Sequence, residues 1–309
     1  MSARFVTVDA GSEGQRVDNF LFRLLKGVPK SRIYRALRHG EVRVNKKRVK
    51  AQTRLLLDDV VRIPPIVTAD RMPLEPPSQG LSDRLQAHVV VETSDYIVVN
   101  KPSGMPVHGG SGSRAGLIEL LRLMRGDTGG YLELVHRLDK ATSGCLLLAK
   151  NRAFLTRCHD LLTTRQSSKT YHALVMGRWE DDEYRVEEPL LRYQRSCGES
   201  AVRVDAEGKP SITIFRPLQC FEHATLVEAI PVTGRMHQIR VHAAHIGRPI
   251  AQDDKYGDRS FNSYIKGLGL NRLFLHAVSL VLPGIADEAD FGVCVPLSSD
   301  LQQLLSSLN

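Results

Sequence analysis

The sequence predicts an α+β protein in two modules: a small αα-β unit, then a larger domain built on a largely antiparallel mixed sheet. Three observations carry this. Residues 1–75 hold 16 Lys plus Arg against 8 Asp plus Glu, whereas the remaining residues hold 26 of each. Residues 64–80 read PPIVTADRMPLEPPSQG, five prolines in seventeen residues with little periodicity, which is the composition of an extended linker. After the helical pattern that ends near Arg165, the chain changes to short β-branched or alternating runs broken by Gly, Pro and charged turns. The boundaries that follow are 14–63 for the first module, 64–87 for the linker and 88–309 for the second domain.

With 309 residues and 42% hydrophobic content, the chain can bury two cores. The net charge of +8 sits in the first module, so that module is expected to grip a polyanion, most simply nucleic acid. No apolar run approaches the length of a membrane-spanning helix and no signal-peptide core follows Met1. A soluble, cytoplasmic monomer without membrane contact is therefore expected. The five cysteines are odd in number and scattered, with no CxxC pair, which excludes a disulfide framework and a zinc ribbon.

In the first module, Val17, Phe20, Leu21, Leu24 and Leu25 fall at helical spacing, and Gly27-Val28-Pro29 ends that helix. A second helix is expected from an N-cap at Ser31 to Gly40. Its inner stripe is Ile33, Ala36 and Leu37, while Arg32, Arg35 and Arg38 share another face. Glu41 to Val49 then alternates around an Asn45-Lys46 turn, a hairpin signal. Lys30, Ser31, Arg32, Arg35, Arg38, Arg43, Lys46, Lys47 and Arg48 are the candidate RNA contacts of this module. A solvated charged face explains any one of them, but so many clustered cations with so few acids between them favour a phosphate backbone.

The second domain opens with strands at His88 to Val91 and Tyr96 to Asn100, followed by a glycine-rich passage from Gly104 to Gly116. Gly110 and Gly112 lack a third glycine at the dinucleotide-binding offset and no GKS or GKT occurs, so this is expected to be a flexible loop beside the active site. Helices are expected at Ile118 to Arg125 and Arg152 to Arg165, the latter turning Phe154, Leu155, Cys158, Leu161 and Leu162 inward. Strands follow at Lys169 to Met176, Val202 to Val204, Ser211 to Phe215 and Thr225 to Ile230, and the segment around His237 to His242 also reads as a strand. The turn within residues 280–297 has no placeable signal.

Chemistry concentrates in Leu134 to Lys150, LVHRLDKATSGCLLLAK, where His136-Arg137-Leu138-Asp139 interrupts an apolar and small-residue run. The polar residues read as a loop and Cys145 to Ala149 as the buried strand behind it. Asp139 stands beside Arg137 and Lys140, and a nearby cation favours the ionised form of a carboxylate. A lone loop aspartate is more often half of a surface ion pair, so the reading depends on partners elsewhere in the chain.

Those partners exist. HRLD followed by TSG resembles the catalytic motif of the RluA-type pseudouridine synthases, and three more family motifs follow in the family's order. They are Asn100-Lys101-Pro102-Ser103-Gly104, the stretch KTYHALV from Lys169 to Val175, and the stretch TGRMHQIRVH from Thr233 to His242. Several ordered motifs are strong where one is weak. The stretch VPKSRIYRALRHGEVRVNKKR is similar to the S4 RNA-binding module that many of these enzymes carry. Within the family the likeness is greatest to the type that modifies several uridines of large-subunit ribosomal RNA, free or in an assembly intermediate. The resemblance implies an isomerase needing no cofactor and no metal, with Asp139 as the carboxylate at the sugar. It also implies Arg240 as the arginine that pairs with Asp139, Tyr171 as the aromatic against the uracil ring, and Arg137, with His136 beside it, as a contact to the RNA that fills the space of the flipped-out base. Met236 departs from the family pattern, in which a small hydroxylated residue is usual there, and the C-terminal segment lacks the family's usual hairpin sequence. Gln252 to Arg259 and Asn271 to His276 fit the pattern and are expected at the rim of the site.

A glycosidase would bring two carboxylates to the bond it breaks, and one motif carboxylate favours isomerisation over hydrolysis. Two other classes compete. One is a non-catalytic RNA-binding assembly factor, which would have no chemical need for Asp139, Tyr171 and Arg240 together. The other is a metal-dependent hydrolase using His237, His242 and His245; against it, the expected strand puts 237 and 242 on opposite faces, so packing and hydrogen bonding around the site are the expected roles.

Overall fold

The computed structural model describes residues 3–25, 28–66, 74–109, 113, 115–126, 130–196, 198–286 and 289–308. They form two units, Met1–Glu75 and Pro76–Asn309. In the first, β1 (Arg4–Thr7), α1 (Val17–Leu24), α2 (Lys30–Arg38), β2 (Arg43–Val44), β3 (Lys47–Arg48) and β4 (Val60–Ile63) follow in order. The sheet runs β1-β4-β2-β3. Both helical stripes close over it, burying Val17, Phe20, Leu21, Ile33, Ala36 and Leu37 with Val44, Leu55, Val61 and Ile63. Each such side chain contributes about 1.5–3 kcal/mol. The hairpin turns on Asn45 and Lys46, both left-handed (φ 47° and 64°), which is the geometry a two-residue turn needs to follow the strand twist.

Two details differ from the sequence reading. The second helix begins at Lys30 behind Pro29, so Ser31 lies inside the first turn and makes no capping bond; the proline ring sets the backbone for entry one residue earlier. β1 lies before residue 14 yet belongs to this unit, because Arg4–Thr7 pairs antiparallel with β4. Its residues are largely exposed, so no alternation advertised it.

The second unit contains α3 (Gln79–Ala87), β5 (Val89–Glu92), β6 (Tyr96–Lys101), α4 (Leu117–Arg125), β7 (Glu133–Leu134), β8 (Ser143–Ala149) and α5 (Arg152–Thr163). Then come β9 (Ser168–Met176), β10 (Tyr184–Glu187), β11 (Leu190–Gln194), β12 (Ser200–Val204), β13 (Ile212–Cys220) and β14 (Ala224–Pro231). The chain ends with α6 (Gln238–His245), α7 (Arg259–Gly267), β15 (Leu275–Ala286), β16 (Ala289–Cys294) and α8 (Ser299–Ser307). The ten-stranded sheet has the path β10-β13-β14-β9-β15-β8-β6-β5, with β16 on β15 and β7 on β8. Only β8 and β15 pair in parallel among the described strands. All seven residues of β8 are buried, as its unbroken apolar run requires. The β15–β16 hairpin occupies the C-terminal stretch whose turn had no signal, and residues 287–288 lie outside the described residues. So do Gly110 and Gly112 of the expected loop, and residues 67–73 of the expected linker.

The segment 79–87, expected as linker, is helix α3, anchored by Leu85 in the core of the second unit. One buried side chain in nine residues leaves no stripe to read. The segment after His237 is a helix, not a strand. Gln238 through Ala243 are all buried, so no polar face marks a helical period. Its start is set by Gln238, whose side-chain oxygen accepts from Thr233 Oγ1 (2.7 Å) and the Arg235 amide (3.0 Å) while its nitrogen donates to the Ile212 carbonyl (2.8 Å).

Gly144, the second residue of β8, has φ +106°, and a Cβ there would stand 2.2 Å from the Ala277 carbonyl oxygen of β15. Gly144→Ala should therefore lose at least about 2 kcal/mol by combining backbone strain with a clash against a fixed backbone atom. Urea unfolding measures this, and an unchanged midpoint would show that the β8–β15 junction is pliable.

Candidate active site

Asp139 lies on the loop between β7 and β8, and its position is fixed from beneath. The Lys101 ammonium, with no exposure to solvent, donates to the carbonyls of Pro102 (2.9 Å), Met105 (2.9 Å) and Lys140 (3.2 Å). Ser103 Oγ donates to the Ala141 carbonyl (2.6 Å) and the Gly104 amide to that of Lys140 (2.8 Å). The Asn100–Gly104 motif is thus the seat of the Asp139 loop. Burial pushes Lys101 down to about 7, against the pull of Asp139. At the other end of the loop, Ser143 Oγ shares a hydrogen bond with His276 Nδ1 (2.9 Å) and accepts from Arg272 (3.0 Å), which in turn holds Asp300 of α8 (2.6 Å).

A cavity of about 510 Å³ opens over this loop, large enough for a nucleotide. His136, Arg137, Asp139, Tyr171 and Arg240 all line it. The structure therefore brings to one cavity the five catalytic-domain residues to which the family resemblance gave a role. Asp139 is the one carboxylate among the lining residues, against Arg137, Arg165, Lys169, Arg235 and Arg240. Burial, and then the charge of Asp139, holds the Tyr171 phenol above its ordinary range. The His136 imidazole takes the Leu147 amide on Nε2 (3.2 Å), and burial pushes it down to about 3, so the ring is neutral. His136 thus pins the loop to β8.

Arg240 departs from expectation. Its guanidinium is bidentate on Asp253 (2.6 and 2.7 Å), reaches Asp254 (3.1 Å) and lies 5.1 Å from the centre of the Tyr256 ring. Asp139 is within its electrostatic reach but is not its ion-pair partner. Burial opposes the charge on Arg240, and the Asp253 bonds outweigh it, so the group is held above its ordinary value. Burial likewise opposes the Asp253 carboxylate, and Arg240 keeps it below the usual range. His237 Nε2 lies 3.9 Å from Asp139 Oδ2, with burial holding the imidazole below its ordinary value against the pull of Asp139, while His237 Nδ1 meets Tyr256 Oη at 2.7 Å. Asp253 and Tyr256 fall inside the stretch expected at the rim, and His237 is among the histidines weighed as metal ligands; their contacts with Arg240, with each other and with Asp139 are not readable from the sequence. Asp253 is 2% exposed, beneath the site rather than at its rim. A buried aspartate in QDDKYGDR carries no signal of its own until the arginine it serves is known.

His242 bonds Thr213 Oγ1 (2.9 Å) and the Glu188 carbonyl (3.0 Å), and His245 lies 3.9 Å from Glu188. Among the described residues no cluster of His, Cys, Asp or Glu could hold a metal ion. In the first unit, Lys30, Ser31, Arg35, Arg38, Arg43, Lys46, Lys47 and Arg48 are exposed. Arg32 is partly withdrawn into an ion pair with Glu41 (2.8 Å).

A mixed sheet with a cation-rich cavity lined by one carboxylate, preceded in the chain by a basic αα-β module, suits an enzyme that acts on RNA. The family comparison agrees. Residues 95–245 match the model of the RNA pseudouridylate synthases and residues 15–61 match the S4 domain. The chain is 47% identical over 306 residues to a Yersinia pestis protein named ribosomal large subunit pseudouridine synthase C, covering 99% of this chain and 95% of that one. A protein of the same name from Escherichia coli K12 is 47% identical over 315 residues, covering 99% and 97%. Of solved structures, human RNA pseudouridylate synthase domain containing 4 superposes with TM-score 0.62 at 27% identity, over 74% of this chain and 95% of that one. The chain belongs to the RNA pseudouridylate synthase family and carries an S4 domain ahead of the synthase domain.

The buried pair yields a prediction. Asp253→Asn leaves the buried Arg240 with only the exposed Asp254 as counter-charge and should cost about 3 kcal/mol in urea unfolding at pH 7. Because the folded Asp253 carboxyl is held below its unfolded value of about 4, its contribution is fully present above that pH and is lost as pH falls further. The difference between wild type and variant should accordingly narrow below pH 4; a gap constant down to pH 2 would contradict the assignment.

Proposed function

We propose that the protein isomerises uridine to pseudouridine in large-subunit ribosomal RNA, with Asp139 acting at the ribose of a flipped-out nucleotide. The observation that supports this most is that Asp139 is the one carboxylate lining a cation-rich cavity that Tyr171 and Arg240 share. The reaction breaks the C1′–N1 bond, turns the uracil and joins C1′ to C5. The C5 proton is lost and N1 regains one, so no electrons are exchanged. A carboxylate serves by attacking C1′ or by taking a proton from C2′.

Tyr171 offers its ring as the face for uracil. Arg240, locked by Asp253, supplies a fixed positive charge near Asp139 that favours the carboxylate form. Arg137, exposed at the cavity mouth, fills the space that the flipped base leaves. The substrate class is supported by the names of the bacterial relatives and by the basic S4 unit, whose exposed Arg35, Arg38, Lys46 and Lys47 suit a phosphate backbone. In this reading the protein works in the cytoplasm as a monomer, on RNA that is free or partly assembled into a subunit.

Asp139→Asn tests the assignment. It keeps nearly the same volume and removes nucleophile and base together, so pseudouridine formation should drop by several powers of ten while RNA affinity stays within a small factor of wild type. A folded variant turning over at the wild-type rate would sink the reading. Isomerisation should also persist in excess chelator, and activity that required added metal would contradict the proposed chemistry.

A further inference from the structure

Ser167, Lys169 and Tyr171 line the cavity at alternating positions leading into β9, the spacing at which an extended chain presents side chains to one face, and Arg165 in the turn before them lines it too. Tyr171 has a role in the proposed reaction and the other three have none. Lys169 opens β9 opposite Leu280 and is partly buried, yet its side chain makes no hydrogen bond or ion pair with any described residue. Burial holds its ammonium below the ordinary lysine value and no carboxylate pulls it back. Its charged neighbour is not Asp139; the group that feels Lys169 is the neutral ring of His136. Arg165, in a left-handed turn at the end of α5 (φ 59°), is exposed and likewise unpartnered among the described residues. A cation stripped of much of its water with no counter-charge costs the fold stability. One wall of the cavity therefore offers a row of donors that the protein itself leaves unused.

We infer that Lys169, with Arg165 beside it, seats a backbone phosphate of the nucleotide whose base lies on Tyr171. Residues two apart on a strand are separated by about 6.6 Å, a span of the order of that from a nucleobase to the phosphate next to it. Uracil carbonyls are the other acceptors a uridine brings, but they travel with the ring on Tyr171, one pleat away. A phosphate supplies the missing counter-charge and leaves Asp139 free for the sugar. This rests on the reading that a flipped uridine enters the cavity.

The test uses the full chain and a large-subunit ribosomal RNA transcript, with affinity measured against potassium chloride concentration and turnover measured separately. Lys169→Met should weaken binding about tenfold at low salt and flatten the slope of log affinity against log salt by about 0.7–0.9, the release expected for one phosphate contact. Lys169→Arg should restore both, which a merely structural loss would not allow. In turnover, Lys169→Met should raise KM more than it lowers kcat. Arg165→Gln, at an exposed position where folding is not at stake, should flatten the slope in the same direction, and it carries the test should Lys169→Met fail to fold. An unchanged slope and affinity in these variants, with wild type converting uridine, overturns the phosphate seat alone. If wild type binds but converts no uridine, the catalytic reading falls, while the slopes still decide whether the cavity wall holds phosphate.

Discussion

A buried ammonium holds the loop on which the chemistry depends. Lys101 has three N–H donors and three carbonyl acceptors, one of them on Lys140, the residue after Asp139. Taking an ammonium out of water is unfavourable, and its depression to about 7 measures that cost. What offsets it is complete hydrogen bonding together with the field of Asp139. The Asp139 carboxylate and its seat therefore stabilise one another, and the loop has little freedom to shift the carboxylate away from the cavity.

The second constraint is the Arg240–Asp253 pair. Both groups are almost fully buried, at 3% and 2% exposure, and a bidentate fork gives that burial the geometry it needs. A guanidinium committed to Asp253 cannot swing onto Asp139. It is a fixed positive charge near Asp139, and in the proposed reaction that leaves the carboxylate available where a direct salt bridge would occupy it. His237, in its left-handed turn between Tyr256 and Asp139, completes this wall.

Each unit has its own core and its own concentration of positive charge. The S4 unit carries the net positive charge of the chain, and the synthase unit, balanced overall, concentrates cations around its cavity. Phosphate contacts position an RNA and carry no sequence information. Selectivity must then come from the shape of the RNA and from whether a uridine can leave its stack.

The sequence by itself determined the elements whose signals are local: α1, α2 and the hairpin at Asn45-Lys46, β8 with its apolar run, and α5 with its inward stripe. It also pointed to the family, because HRLD with TSG, the Lys169–Val175 stretch and the Thr233–His242 stretch stand in the family's order, and it named Asp139, Tyr171 and Arg240, which the structure places on one cavity. Tertiary structure decided the rest. α6 is buried along most of its length, so its period was invisible and it reads as a strand. α3 hides a single anchor, Leu85, in a proline-rich neighbourhood. Above all, Arg240 sits on Asp253 and not on Asp139, since a side chain near two carboxylates chooses by burial and fork geometry. Those depend on where α6 and the 252–258 turn come to rest, and no residue spacing encodes that.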